Sequence, residues 1–198
     1  MKQLTFITKT GSATEDLFDD LARLRIEVFR DFPYLYEGSV SYERDYLKTY
    51  ARSQESLVFA VYDGPRMIGA TTCIPLKDET GDVQEPFLKN GIPLDEVFYF
   101  GESILLKPYR GRGLGHRFFD VREAHAAGSG SYRTTCFCAV ERPADHPLKP
   151  ADYRPNDVFW RKRGYTPLPG LTSFFEWTDL GEHNSTQKPM TYWMRSLE

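Results

Sequence analysis

No run of about 20 apolar residues occurs in the chain, so nothing in it reads as a membrane span. The opening stretch MKQLTFITKTG holds no apolar core of signal-peptide length. Cysteine is scarce: Cys73, Cys136 and Cys138 are the only three, an odd number. Cys136 and Cys138 lie two apart in TTCFCAV, so on a strand they share a face and cannot easily bridge each other. They read as reduced, buried thiols in a cytoplasmic protein. No set of His and Cys has metal-ligand spacing, so no metal is expected. The net charge is only −3, which removes any global drive toward nucleic acid or a membrane surface. There are no internal repeats and no linker-like stretch. The NST triplet at Asn184 reads as a polar loop.

What is present is ordinary globular material. The 198 residues suit one domain spanning 1–198, long enough to bury roughly 70% of its unfolded surface. Hydrophobic residues make up 40% and charged ones 27%. Aromatics reach 15%, enough to line a pocket with rings as well as fill a core. Charge is unevenly placed. Glu15, Asp16, Asp19 and Asp20 crowd one segment, while Lys107, Arg110, Arg112 and Arg117 crowd another with no acid among them.

Periodicity gives an order of elements. QLTFIT alternates as a strand; SATEDLFDDLARLRIEVF opens on a capping box, Ser12 with Glu15, and continues at helical spacing through Leu17, Leu21, Leu24 and Val28. Pro33 ends that helix. A second follows with Tyr42, Tyr46, Leu47 and Tyr50 on one side. SLVFAVYDGPRMIGATTCIPL is two strands about a turn at Asp63-Gly64-Pro65. A polar excursion over 78–95 holds a short helix at Gln84–Lys89. A long strand fills 97–106, a helix about 114–126 closes at Gly128, and another strand follows in YRTTCFCAV. The proline-rich ERPADHPLKPADYRP is loop. NDVFWRKRG is a short helix with Asn156 as N-cap and Gly164 beyond its end; SFFEWTDL and MTYWMRSL close the chain as strands around the loop GEHNSTQKP. Helices alternate with strands, but adjacent strands form two hairpins. The pattern fits a mixed sheet with helices on both faces, not a doubly wound one.

The stretch YRGRGLGHRFF, Tyr109 to Phe119, places three glycines and several arginines just ahead of a helix. A helix N-terminus offers unpaired N–H groups and the positive end of a dipole. Glycines let a phosphate approach the backbone with no Cβ in the way. The local physics therefore asks for an anion, most simply a diphosphate. Phe118 stands where a dinucleotide fingerprint needs its third glycine, and no Gly-Lys-Ser/Thr ending is present for a Walker loop. What remains is Arg110-x-x-Gly113-x-Gly115 between a strand and a helix. A plain strand-to-helix turn with a solvated basic face is the bland alternative.

That pattern resembles the GNAT superfamily of N-acetyltransferases. LLKPYRGRGLGHRFF matches the cofactor motif, NDVFWRKRGY matches the second family signature, and the element order matches along nearly the whole chain. The resemblance implies an α/β, mostly antiparallel sheet of six to seven strands, splayed between the fourth and fifth. It implies acetyl-CoA as co-substrate, bound through Arg110, Gly111, Arg112, Gly113, Leu114, Gly115 and His116. The pantetheine arm would lie along the strand edge at Ile104, Leu105 and Leu106. The reaction implied is acetyl transfer to a primary amine by direct attack, with a small-molecule or peptide amine as acceptor.

Neutralising an alkyl amine of pKa near ~10.4 at pH 7 costs about 4–5 kcal/mol, so a base is expected. Glu102 is the first candidate, because it sits in the otherwise apolar YFGESILL on the face of Leu106; a strand-end carboxylate paired with an arginine is the plainer reading. Glu141, ending the neighbouring strand, is the second, against a loop ion pair with Arg142 or Arg154. Where the family often has a proton-donating Tyr, four residues before Gly164, this chain has Trp160; Tyr165 or Tyr153 stands nearby as substitute. Tyr34, Tyr36 and Tyr153 are the candidate acceptor-site residues, in an aromatic, mildly acidic pocket. A non-catalytic acyl-CoA sensor is the non-enzyme rival, with Trp160 as its support. RNA binding through Lys107–Arg117 is a third reading that the acidic net charge opposes. The acceptor's identity and the oligomeric state, a homodimer included, stay open.

Overall fold

Alternating strands and helical stripes resolve into an ordered series over residues 3–197, the part of the chain described by a computed structural model. In chain order these are β1 (Thr5–Thr10), α1 (Phe18–Phe29), α2 (Val40–Arg52), β2 (Leu57–Asp63), β3 (Arg66–Pro75) and α3 (Gly81–Lys89). Then come β4 (Val97–Leu105), α4 (Leu114–Gly128), β5 (Thr134–Val140), α5 (Asp157–Lys162), β6 (Thr166–Trp177) and β7 (Thr186–Ser196). The mixed α/β order expected from periodicity holds.

One seven-stranded sheet runs β1-β2-β3-β4-β5-β7-β6. Every neighbouring pair is antiparallel except β4 with β5. A parallel pair needs a crossover, which α4 supplies. That pair is also the sheet's weak seam. Its register covers only Val97↔Thr134, Phe98↔Thr135 and Tyr99↔Cys136. Beyond Tyr99 the two strands part, so β4 from Phe100 onward has no partner on the β5 side. The splay implied by the resemblance is present.

Alternation along β4 and β5 sends Tyr99 and Cys138 to one side of the sheet and Phe100 and Phe137 to the other. On the first side Tyr99 Oη meets Cys138 Sγ at 3.1 Å, and α1, α2 and α3 pack there. On the second, Phe119 of α4 sits edge-on to Phe100 and Phe137, and Trp160 of α5 packs on Phe137. Residues such as Leu21, Leu47, Phe98, Phe100, Phe118 and Tyr192 are almost wholly out of solvent.

Local readings differ in several places: β6 begins at Thr166 and β7 at Thr186, both earlier than expected, and α3 begins at Gly81. The Ser12–Glu15 capping box does not form; residues Gly11–Leu17 wind as a 3-10 turn, Thr14 Oγ1 donates to the Gly11 carbonyl at 2.7 Å, and α1 begins at Phe18. Tyr42 is 59% exposed and lies off the buried stripe of α2. Asn156 precedes α5 but its side chain makes no cap bond.

Candidate functional site

The glycine turn takes the backbone conformation that its glycines allow. Gly111 and Gly113 have φ of 75° and 79°, a left-handed conformation that side chains resist. Gly113 is the N-cap of α4. The first amide bonded back into the helix is that of Arg117, to the Gly113 carbonyl at 3.2 Å. Among the described residues, the amides of Gly111 through His116 have no hydrogen-bond partner. Apart from the adjoining chain, no protein atom lies within 4 Å of where a Cβ on Gly111 or Gly113 would sit. The turn leaves free amides at the positive end of a helix, a geometry able to receive an anion, and it lies at the end of β4 where the sheet has opened. Gly115 and His116 continue it into the first turn, with His116 against Phe159.

The arginines around it are differently engaged. Arg110 Nε donates to the Leu105 carbonyl at 3.0 Å, and Arg112 Nη2 to the Pro108 carbonyl at 2.9 Å. Arg117 lies over the ring of Phe6 at 3.6 Å. Lys107 pairs with Asp31. The backbone amides, rather than a row of free guanidinium groups, are what the turn presents. Leu114 is buried beneath it. Along the strand edge, Leu106 donates its amide to Ile68 of β3 at 2.9 Å, and Ile104 pairs with Ala70.

β4 carries a bulge. Thr71 pairs with Ser103 and Cys73 with Phe100, so Gly101 and Glu102 both stand opposite Thr72. Gly101 is obligatory there, because a Cβ would fall 1.9 Å from Tyr50 Oη. The extra residue turns the Glu102 side chain toward α1 and α2, beside the opening.

Glu102 enters a buried cluster of charge. Arg25 of α1 holds Glu102 Oε1 at 2.6 Å and is bonded through Nε to Glu43 of α2. One cation thus faces two carboxylates, all nearly out of solvent. The guanidinium also lies 4.5 Å over the ring of Tyr46. Glu102 is therefore both the buried carboxylate expected of a base and the arginine-paired one of the plainer reading. Glu79, between β3 and α3, is a further buried carboxylate on this side. Burial is the main reason its pKa rises to about 7, with Glu102 adding to it.

Tyr34 and Tyr36, two of the three tyrosines expected at an acceptor site, lie in the field of this cluster. Burial pushes the phenols of Tyr36 and Tyr34 up; Glu43 adds to the rise at Tyr36, and Tyr34 lies in the field of Cys138, Arg25, Glu102 and Tyr153. Tyr153 packs edge-on to Phe32 at 4.7 Å. The segment bearing Tyr34 and Tyr36 is fixed from the far side. Arg142, just past β5, donates to the carbonyls of Pro33 and Tyr34, each at 2.7 Å, and Trp177 Nε1 donates to the Tyr34 carbonyl at 3.0 Å.

Two catalytic candidates lie elsewhere. Glu141 is exposed and bonded to Thr191 on the α4 side of the sheet, across from Glu102. Tyr165 is fully buried on that same side, its hydroxyl bonded to Thr135 at 2.9 Å and donating to Glu123 at 3.1 Å. Trp160 packs beside it on Phe137 and Trp193. The thiols are passive: burial pushes Cys73 and Cys138 up to about 12.

Arg25, Glu43 and Glu79 were not singled out from sequence, and Arg142 entered only as a loop partner for Glu141, whereas its carboxylate partner is Asp179. Two had a signal. Arg25 stands four residues after Leu21, and Glu43 three and four before Tyr46 and Leu47, so each interrupts an apolar helical stripe.

No family model matches the chain, and no curated protein matches it. Solved structures do. An N-acetyltransferase from Staphylococcus aureus Mu50 aligns over 98% of this chain and 99% of its own, at 10% identity and a TM-score of 0.60. An acetyltransferase of the GNAT family from Streptococcus pneumoniae aligns over 99% and 100%, at 11% identity and 0.58. An aminoglycoside 6'-N-acetyltransferase complexed with coenzyme A aligns over 97% of each chain, at 15% identity and 0.57. With the parted β4–β5 seam and the glycine turn that follows it, this chain has the fold of the GNAT-family acetyltransferases.

Proposed function

We propose that this protein is an acetyl-CoA-dependent N-acetyltransferase acting on a primary amine by direct attack in a ternary complex. The observation that carries the reading is the run of unpartnered amides from Gly111 to His116, set at the start of α4 where β4 and β5 separate. Such a run fits a pyrophosphate, and the β4 edge at Ile104, Leu105 and Leu106 fits a pantetheine arm. The neighbour solved with coenzyme A supports the same ligand class.

When bound, acetyl-CoA supplies an acetyl thioester, whose transfer forms an N–C bond, breaks a C–S bond and takes two protons from the ammonium, one of which is balanced when the departed thiolate is protonated by solvent. The chain's own residues supply the rest. Glu102 and Glu43, against the single cation Arg25, leave a net negative site suited to a cationic amine. Tyr34, Tyr36 and Tyr153 wall it with rings, where a cation is favoured. Cys138 stays a thiol, which supports direct attack over an acyl-cysteine. Tyr165 faces away, so in this reading no side chain protonates the sulfur. A thiol of pKa ~8.5 leaves as thiolate at a cost of about 2 kcal/mol at most.

Trp160 in place of a proton-donating tyrosine favours one other reading, a sensor that binds acyl-CoA without turnover. Incubation with acetyl-CoA and a panel of amines, monitored for free thiol, separates them. Thiol release with at least one amine is expected. Binding with no release from any amine favours the sensor, and no binding ends both readings.

A further inference from the structure

Beside the C-terminal end of α2 is a cavity of about 320 Å³, lined by Thr49, Arg52, Ser53, Asp78, Glu79 and Thr80. Glu79 is the lining residue whose carboxyl also lies in the field of Glu102 and Arg25. Its backbone is fixed: the Gln84 amide donates to the carbonyls of Leu76, Lys77 and Glu79 at 3.2, 2.9 and 2.7 Å. Its Oε2 accepts the Thr80 amide at 2.8 Å. Its Oε1 is buried with no hydrogen-bond partner among the described residues. The residue is only 6% exposed. An unsatisfied buried carboxylate oxygen is costly and calls for a use.

The groups around it define that use. From α1 comes Arg25 and from β4 come Glu102 and Tyr99. From α2 come Tyr46 and Tyr50, whose phenols lie in the fields of both Glu79 and Glu102. From β5 and β7 come Cys136, Cys138 and Tyr192. On the cavity side are Asp78, which accepts from Ser53 Oγ at 2.5 Å, and Arg52. Thr72 Oγ1 accepts the Glu102 amide and donates to Tyr50 Oη at 3.1 Å. Arg25 engages Glu102 and Glu43 directly; Glu79 has no such ion-pair partner among the described residues.

We infer that Glu79 is the proton exit of the acceptor site, taking the ammonium's proton on the buried side and releasing it to water in the cavity beside α2. The inference rests on the acetyltransferase reading above. In the first step R–NH₃⁺ and the Glu79 carboxylate become R–NH₂ and the carboxylic acid. In the second the acid gives that proton to solvent and the carboxylate is restored. A group poised near neutrality is suited to both steps.

Infrared difference titration of the free protein tests this without an acceptor. A protonated-carboxyl band titrating near about pH 7 is expected in the wild type and in Asp78→Asn, and absent from Glu79→Gln. No such band, or one that survives in Glu79→Gln, overturns the inference. With any amine found in the panel, kcat/KM of the wild type should rise with pH to an inflection near about 7. Glu79→Gln should lose that inflection and fall about 100-fold at neutral pH, with acetyl-CoA affinity unchanged, and Glu79→Asp should restore a shifted one. An unaltered profile in Glu79→Gln overturns the role while leaving wild-type transfer intact. Failure of the acetyltransferase reading shows differently, as a wild type that releases no thiol.

Discussion

Arg142 and Asp179 meet through two parallel bonds, Nη1 to Oδ2 at 2.6 Å and Nη2 to Oδ1 at 2.9 Å. The same guanidinium holds the carbonyls of Pro33 and Tyr34, and Lys188 approaches Asp179 at 3.4 Å. One fork thus fastens the segment between α1 and α2 to the end of β5 and the β6–β7 hairpin. Burial works against the ionised Asp179, but the bonds from Arg142 and the charge of Lys188 outweigh it and lower its pKa. A depressed native pKa contributes stability above the unfolded value, lost as pH falls through the native one. Asp179→Ala should cost about 3 kcal/mol at neutral pH, because two cations lose their acid. Urea unfolding at a series of pH values checks this. The gap between variant and wild type should close on the acid side, and a gap constant with pH would contradict the pairing.

Gly101→Ala should destabilise by about 1–3 kcal/mol, since the new Cβ falls 1.9 Å from the hydroxyl of a fully buried tyrosine. Tyr50→Phe in the same chain removes that oxygen and should recover part of the loss. Thermal unfolding of the two single variants and the double variant measures the coupling. Strict additivity would mean the two residues do not meet.

Much of this was legible in the sequence, and for identifiable reasons. Helix α4 and the turn before it were readable because Gly111, Gly113 and Gly115 are punctuation that only backbone conformation explains. The splayed seam followed from the family resemblance, not from periodicity. The Ser12–Glu15 capping box was misread: its spacing is right, but the 3-10 turn ahead of α1 satisfies the local groups differently. The charged cluster was missed in part because Arg25 and Glu43 sit on different helices and meet only after folding. Arg122 is a third charge within an apolar stripe, following Phe118 and Phe119. Glu79 lies in a polar stretch with no periodicity to mark it. Tyr165 was a reasonable acid by proximity in sequence, but its hydroxyl is bonded to Thr135 and Glu123 on the α4 side of the sheet, away from Glu102.

The Glu79 carboxyl has a sign that stability can read. Its native pKa, raised to about 7 by burial first and by Glu102 second, lies above the ordinary value of 4.5. Between those values the unfolded chain releases a proton that the native state keeps, so native stability falls as pH rises. The expected loss is about 3 kcal/mol across that window. Glu79→Gln should lack it, gaining on the wild type between about pH 5 and about pH 8 in chemical denaturation. A difference independent of pH would show that the group does not titrate there.

Arg122 is fully buried between the rings of Phe100 and Phe119, at 4.3 and 4.5 Å, and no carboxylate pairs with it among the described residues. Burial is the main cause lowering its pKa, to about 10. A cation so placed is held at a cost that a flexible apolar chain would not carry. Arg122→Met should leave the urea midpoint at neutral pH equal to the wild type or raised by about 1 kcal/mol. A loss beyond about 2 kcal/mol would show that its bond to the Phe118 carbonyl and its ring contacts outweigh that cost.

The central claim is that the amides of Gly111 through His116 hold the pyrophosphate of acetyl-CoA, and calorimetric titration of the coenzyme tests it most directly. The wild type should bind. Gly113→Asn, which tolerates the left-handed backbone, should retain binding, and Gly113→Glu, folded by its thermal transition but carrying a like charge into the cradle, should lose about 100-fold or more. Equal affinity in the wild type and Gly113→Glu would contradict the account.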